Sequence, residues 1–349
     1  KGQVKISGSK NASLPILAAT LLSDKKISLT NIPRVKDVKT MIKLLESMGS
    51  KVKVLKNKNS LIIKNDKIIK AEASYDLMST MRAGIIVLGP LLARFGKARA
   101  SIPGGCNLGF RPIDIHLEAL KKMGVKYKLV DGYINAKAKN GLVGAKIKFP
   151  KISVGATENL MIAACLAKGQ TVLSNCAIEP EIKDLSNFLC SMGAKIVWTG
   201  RRQVKIIGVK TFKQSNYKIM FDRIEAGTML IAGAINQGNL KITGIESSIL
   251  ETEIDLLKKI GAKINQKKNE IIIKGNKKIK NINIKTSPYP GVATDIQAQL
   301  MVLLCKANKR STIKEDIFEN RFQSIPELKR MNAKIEVKGN QAIIEGNTI

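Results

Sequence analysis

One element recurs five times along this chain: an amphipathic helix ending in Met or Ile, then Gly or Asn, then a strand. The copies read "MIKLLESMGSKVKVL", "HLEALKKMGVKYKLV", "LSNFLCSMGAKIVW", "EIDLLKKIGAKI" and "PELKRMNAKIEV". In each, apolar residues fall at helical spacing, a helix C-cap is expected at Gly49, Gly124, Gly193, Gly261 or Asn332, and period-two alternation starts at once. Successive caps stand about 70 residues apart, so the chain reads as an array of similar units.

A second element alternates with the first: "NASLPILAATLL", "TMRAGIIVLGPLLA", "TENLMIAACLA", "RIEAGTMLIAGAI" and "TDIQAQLMVLLC". Each is expected to be one helix, and after its first residues it has almost no polar face. A helix apolar all round is buried on every side, so these five belong inside, with strands and amphipathic helices around them. The class is α/β, each unit reading helix, strand, helix, strand. A unit this short cannot bury such a helix alone, whereas three units closing around their helices would make a domain of roughly 200 residues. Two such domains call for six units, and five are visible. The expectation is a fragment or shortened chain lacking the sixth unit and a few N-terminal residues, with a domain boundary near residue 220.

Composition narrows the function. The formal charge is +33, which raises nucleic acid or an anionic membrane as partners. Lys far outnumbers Arg, is spread over the whole chain, and is not interleaved with aromatic residues, which are only 4% of the total, so neither partner is expected. Five cysteines without a CxxC pair and a single histidine argue against a metal site and a disulfide framework. Cys165, Cys190 and Cys305, within apolar helices, read as small hydrophobes. His116, on the helix "PIDIHLEALKKMG", reads as a surface or packing residue. With no charged-then-apolar leader and no apolar run near the roughly 20 residues of a bilayer span, the expectation is a cytoplasmic protein.

The apolar helices carry their few polar residues near their N-termini, among them Lys10 and Asn11, Arg82, Arg223 and Asp295. A cation there opposes the helix dipole and needs some other benefit, so Lys10, Arg82 and Arg223 point to an anionic substrate. Asp295, in "PYPGVATDIQAQ", fits two readings: a first-turn acid stabilised by the dipole, or a carboxylate placed to take a proton from a substrate hydroxyl. Cys106, in "SIPGGCNLGFRPID", is also open. It is either a small hydrophobe in a tight turn, or a thiol near Arg111 in a glycine-rich loop able to act as acid or nucleophile.

The segments "GSKNASLPILAATLL", "TMRAGIIVLGPLLARFG", "PGGCNLGFRPIDIHLEAL", "SVGATENLMIAA", "DRIEAGT", "YPGVATDIQAQ" and "IFENRF" together resemble the enolpyruvyl transferase family from end to end. The resemblance implies two inside-out α/β barrels with the active site in the cleft between them: residues 10–220, and residues 1–9 with 221–349. It implies transfer of the enolpyruvyl group of phosphoenolpyruvate to the 3′-hydroxyl of UDP-N-acetylglucosamine, an early step of peptidoglycan synthesis, with no cofactor. Asp295 matches the family's base and Cys106 its proton-donating thiol, the one alkylated by fosfomycin. Lys10, Arg82 and Arg111 match cations around phosphoenolpyruvate, and Asn11 a contact at the reacting hydroxyl. Arg111, Pro112, Ile113, Asp114 and Ile115, then Lys151, Ser153, Val154 and Gly155, match the nucleotide-sugar positions; Asp295 and Ile317 lie nearer the sugar, and Arg321 matches a cleft arginine. Two further family arginines belong to a segment beyond Ile349, and a chain truly ending there is expected to turn over weakly. The alternatives are a shikimate-3-phosphate enolpyruvyl transferase, which the cysteine loop and "SVGAT" disfavour, and a non-catalytic decayed copy.

Overall fold

The computed structural model describes residues 1–55, 59–68, 70–102, 104 and 113–348. Among the described residues, five four-stranded sheets repeat one pattern, one for each repeat in the sequence. In the first, Ser215–Lys218 pairs parallel with Ile27–Thr30, which pairs antiparallel with Ser60–Lys64, which pairs antiparallel with Lys51–Leu55. Lys97–Ser101, Gln170–Ser174, Asn239–Thr243 and Ser311–Lys314 take the place of Ile27–Thr30 in the other four. No sheet closes on itself among the described residues. The chain divides into two compact units, described residues of 8–104 and 113–220 in one, and of 1–7 and 221–348 in the other. The first holds three sheets and the second two.

All five expected caps have positive φ, from 70° at Asn332 to 111° at Gly261. That backbone terminates the amphipathic helices Lys36–Ser47, Asp114–Lys122, Pro180–Ser191, Glu251–Ile260 and Ile325–Arg330 and turns the chain into a strand. These strands lie at sheet edges, and each carries one or more lysines, which discourage edge pairing beside exposed apolar residues such as Val54, Leu129 and Val197.

The apolar helices occupy the interior of each unit. In the first, Lys10–Ala19 is buried from Ala12 onward and Val154–Ala164 from Ala156 onward. In the second, Arg223–Ile235 and Gln297–Leu304 keep half-buried positions at Met229, Ala232, Ala298 and Val302, in a unit with two sheets instead of three. Three expected single helices are broken, and in the first of them Lys10–Ala19 passes into the 3₁₀ turn Thr20–Leu22. Arg82–Val87 is a 3₁₀ segment ahead of the α-helix Leu88–Phe95, and Thr294–Ile296 a 3₁₀ turn ahead of Gln297–Leu304. Pro90 has no N–H to donate backwards, and the Gly89 N–H instead donates to the buried Asn159 Oδ1 at 2.7 Å. A methyl group on Gly89 would overlap that oxygen. Gly89→Ala is therefore expected to cost about 2 kcal/mol or more, read as a lower urea midpoint at unchanged slope.

Cys165 and Cys305 are buried as expected, but Cys190 is exposed, because it lies on the outer side of the amphipathic helix Pro180–Ser191 and not in an apolar one. On the same helix Asp184 is buried, accepting from the Tyr217 hydroxyl at 2.7 Å and the Met220 N–H at 3.2 Å. Burial pushes its carboxyl up to about 6 despite those bonds. The folded state thus holds this proton more tightly than the unfolded chain, and Asp184 withdraws stability as pH rises from about 4 to 6. Asp184→Asn removes that dependence. Between pH 4 and 7 the variant should gain roughly 2–3 kcal/mol relative to the parent, measured by chemical denaturation.

No helix among the described residues is long and apolar enough to cross a membrane.

Candidate active site

Four segments of the larger unit carry sequence-identified residues. Ser9 caps the helix Lys10–Ala19 by accepting from the Ala12 N–H, so Lys10 and Asn11 stand in the first turn. Lys10 Nζ lies 3.3 Å from Asp37 and is about two-fifths exposed, a neighbour that offsets the opposing helix dipole while leaving the ammonium accessible. Arg82 opens the 3₁₀ segment Arg82–Val87. Asp114 heads the helix Asp114–Lys122; Ile113 before it is half-buried and Ile115 after it is buried.

Ser153 caps Val154–Ala164, accepting from the Ala156 N–H at 3.3 Å, and its own carbonyl receives the Thr157 hydroxyl. The first-turn N–H groups of this helix, those of Val154 and Gly155 among them, have no acceptor inside it and are suited to phosphate oxygens. Lys151 is exposed two residues before the cap. Farther along, Glu158 is buried, and desolvation, with Glu181 and then Glu179 adding to it, pushes its carboxyl well up.

In the smaller unit, Asp295 sits in the 3₁₀ turn Thr294–Ile296. Arg321 donates to Asp295 Oδ1 at 2.8 Å and, through Nε and the same terminal nitrogen, to the Thr294 carbonyl at 3.1 and 3.0 Å. That grip aims the Asp295 carboxylate while leaving its side chain 42% exposed, enough to meet a substrate. Sequence reasoning missed Glu315. This buried carboxylate accepts from the Thr294 hydroxyl at 2.9 Å, the Ile317 N–H at 2.8 Å and the Phe318 N–H at 3.1 Å. It thus ties the Asp295 turn to the loop bearing Ile317 and Arg321. The only signal was its place just before "IFENRF", where an acid reads as surface.

Arg223 is buried, with its guanidinium 5.7 Å from the centre of the Tyr289 ring. Cys106, Arg111 and Pro112 lie outside the described residues. No group of three His, Cys, Asp or Glu side chains suited to a metal occurs among the described residues.

A family model described as EPSP synthase (3-phosphoshikimate 1-carboxyvinyltransferase) matches residues 1–349. The chain belongs to this enolpyruvyl transferase family. Among curated relatives, a protein of Pelagibacter ubique named UDP-N-acetylglucosamine 1-carboxyvinyltransferase is 69% identical over 347 residues, covering 99% of this chain and 83% of the relative. One of the same name from Trichlorobacter lovleyi is 48% identical over 346 residues, 99% of this chain and 82% of the relative. Among solved structures, the enolpyruvyl transferase NikO from Streptomyces tendae superposes with a TM-score of 0.90 at 22% identity, covering 99% of this chain and 82% of that one. An EPSP synthase of Acinetobacter baumannii gives 0.77 at 17% identity, covering 100% and 82%. These transferases share the fold of interior helices walled by small sheets.

Glu315→Ala strips three donors of their acceptor inside this enolpyruvyl transferase. The expected cost is about 2–4 kcal/mol in urea denaturation, several times that of Glu336→Ala on an exposed strand.

Proposed function

We propose that this enolpyruvyl transferase moves the enolpyruvyl group of phosphoenolpyruvate to the 3′-hydroxyl of UDP-N-acetylglucosamine and releases inorganic phosphate. The observation that carries the reading is the 69% identity, spread over 99% of the chain, to a relative that bears the name of this activity. The shikimate alternative has only the description of the family model and structures at 17% identity, which speak for fold alone.

The chemistry is an addition followed by an elimination. The 3′-oxygen bonds to C2 of phosphoenolpyruvate as its proton leaves and C3 gains one, giving a tetrahedral ketal phosphate. C3 then loses a proton, the double bond re-forms, and the bond from C2 to the phosphate oxygen breaks. Asp295 takes the hydroxyl proton; the Arg321 contact supports this role by fixing the carboxylate's direction. Cys106 supplies the proton to C3, its thiol having a reference pKa of about 8.5 and so being protonated at neutral pH. Lys10, Arg82 and Arg111 offset the phosphate and carboxylate charge, and Asn11 steadies the reacting hydroxyl. Arg111 to Ile115, with Lys151, Ser153, Val154 and Gly155, hold the nucleotide, the first-turn N–H groups after Ser153 facing the diphosphate. Ile317 packs near the sugar. Residues 10–220 act as one domain, and 1–9 with 221–349 as the other. The protons balance among side chains and substrates, so the reaction calls for no metal or cofactor. Its place is the cytoplasm, at the first committed step of peptidoglycan synthesis, on which cell shape and division depend.

Phosphate release that requires both phosphoenolpyruvate and UDP-N-acetylglucosamine is the expected result; release dependent on shikimate 3-phosphate would reverse the assignment. Asp295→Asn should lower kcat by roughly 10²–10⁴. Cys106→Asp keeps a proton donor while removing the thiol, so its turnover should survive treatment with fosfomycin.

A further inference from the structure

The larger unit contains a buried polar bracket that the proposed chemistry does not use. Asn159, fully buried in the helix Val154–Ala164, reaches three partners. Its Oδ1 accepts from the Gly89 N–H at 2.7 Å, and its Nδ2 donates to the Ile85 carbonyl at 3.3 Å and meets His116 Nδ1 at 3.0 Å. The backbone partners fix which atom is which: an N–H can face only the amide oxygen, and a carbonyl only the amide nitrogen. His116 Nδ1 must then be the acceptor, and in the neutral ring the proton sits on Nε2. That protonated edge lies against Gly155, where an added Cβ would stand 3.4 Å from Cε1 and 3.6 Å from Nε2.

The bracket joins three segments named in the proposed function. Gly89 and Ile85 belong to the run that Arg82 opens, His116 follows Ile113 to Ile115, and Asn159 continues the helix begun by Ser153, Val154 and Gly155. Each of these side chains sits in the core, where leaving one donor or acceptor unmet costs about 1–3 kcal/mol. An apolar pair of the same volume would fill that space, but it would set neither the axial position nor the rotation of one segment against another. Hydrogen bonds of fixed direction set both.

We propose that Asn159 and His116 are positioning residues for the nucleotide diphosphate, holding the first turn of Val154–Ala164 in register with Ile113 to Ile115. This rests on the reading of those segments as the nucleotide-sugar site. The ring is neutral in the working range: burial pulls its pKa down to about 4, with Asp114 opposing. An imidazolium would put a second donor against the Asn159 amide.

The chain has one histidine, so its ring signals need no assignment. Nitrogen-15 NMR on histidine-labelled protein at pH 7 should show Nε2 protonated and Nδ1 bare. Addition of UDP-N-acetylglucosamine alone should shift the ring Cε1–H, while phosphoenolpyruvate alone should not. Kinetically, His116→Met removes the acceptor, and KM for UDP-N-acetylglucosamine should rise roughly 10–100-fold with kcat and KM for phosphoenolpyruvate held within about twofold. His116→Gln offers a carbonyl oxygen in the same direction and should recover most of the loss.

A protonated Nδ1, a ring signal indifferent to bound nucleotide sugar, or equal KM values for parent and His116→Met would each overturn the proposal. So would a loss confined to thermal stability, or one that His116→Gln fails to reduce. If His116→Met does not fold, Asn159→Asp gives the same test: it keeps the acceptor for Gly89 and loses both donors, so KM should rise as above. Failure of the functional reading shows separately, as parent protein that neither binds nor turns over UDP-N-acetylglucosamine while its histidine still reports the Nε2–H form.

Discussion

Five helices in this chain are apolar on nearly every side, and only a surround of protein can hold such a helix in water. Each fully buried aliphatic side chain contributes about 1.5–3 kcal/mol relative to exposure, and Ala156 to Ala164 form an unbroken buried run. The rest of the architecture follows from that requirement. The sheets have one face to the helices and one to solvent, and the amphipathic helices cover what the sheets do not. The glycine or asparagine cap after each amphipathic helix turns the chain straight into the next wall.

A helix with no polar face slides and rotates easily against apolar neighbours, and the few buried polar groups supply what apolar packing lacks. Asn159 pins Val154–Ala164 to Gly89, Ile85 and His116; Glu315 pins the Asp295 turn to the loop of Ile317; Asp184 fastens Pro180–Ser191 to Tyr217 and Met220. Each pairs a donor or acceptor whose burial alone would be unfavourable, so each favours one arrangement over its near neighbours. Two of the three lie directly beside residues assigned to substrate. In this fold, then, the hydrophobic effect makes the frame, and directional bonds fix particular segments at defined positions within it.

Much of this frame was legible in the chain. The five C-caps, the alternation after them and the polar-free helices are local signals, set by φ preference and side-chain period, and all five caps take the expected positive φ. The break between Val87 and Leu88 was less legible, since the Gly89 N–H just after it finds its acceptor on Asn159, 70 residues onward. Cys190 was assigned to the wrong kind of helix because a short apolar run does not disclose which side faces out. Lys10 and Asp295 stood out as charges at the start of apolar helices, a pattern visible without coordinates, whereas Ser153 entered only through the family resemblance and its capping role came from the structure.

Sequence alone therefore determined the repeat, the buried helices and the family, because each rests on residue types at fixed local spacing. Tertiary structure alone decided which carboxylates and amides act as joints. Glu315 and Asn159 look like ordinary polar residues in the chain; their roles as joints exist only where the Thr294 hydroxyl reaches Glu315, and where the Gly89 N–H, the Ile85 carbonyl and the His116 ring reach Asn159. The same holds for His116, whose ring is kept neutral by burial and turned by a partner 43 residues away.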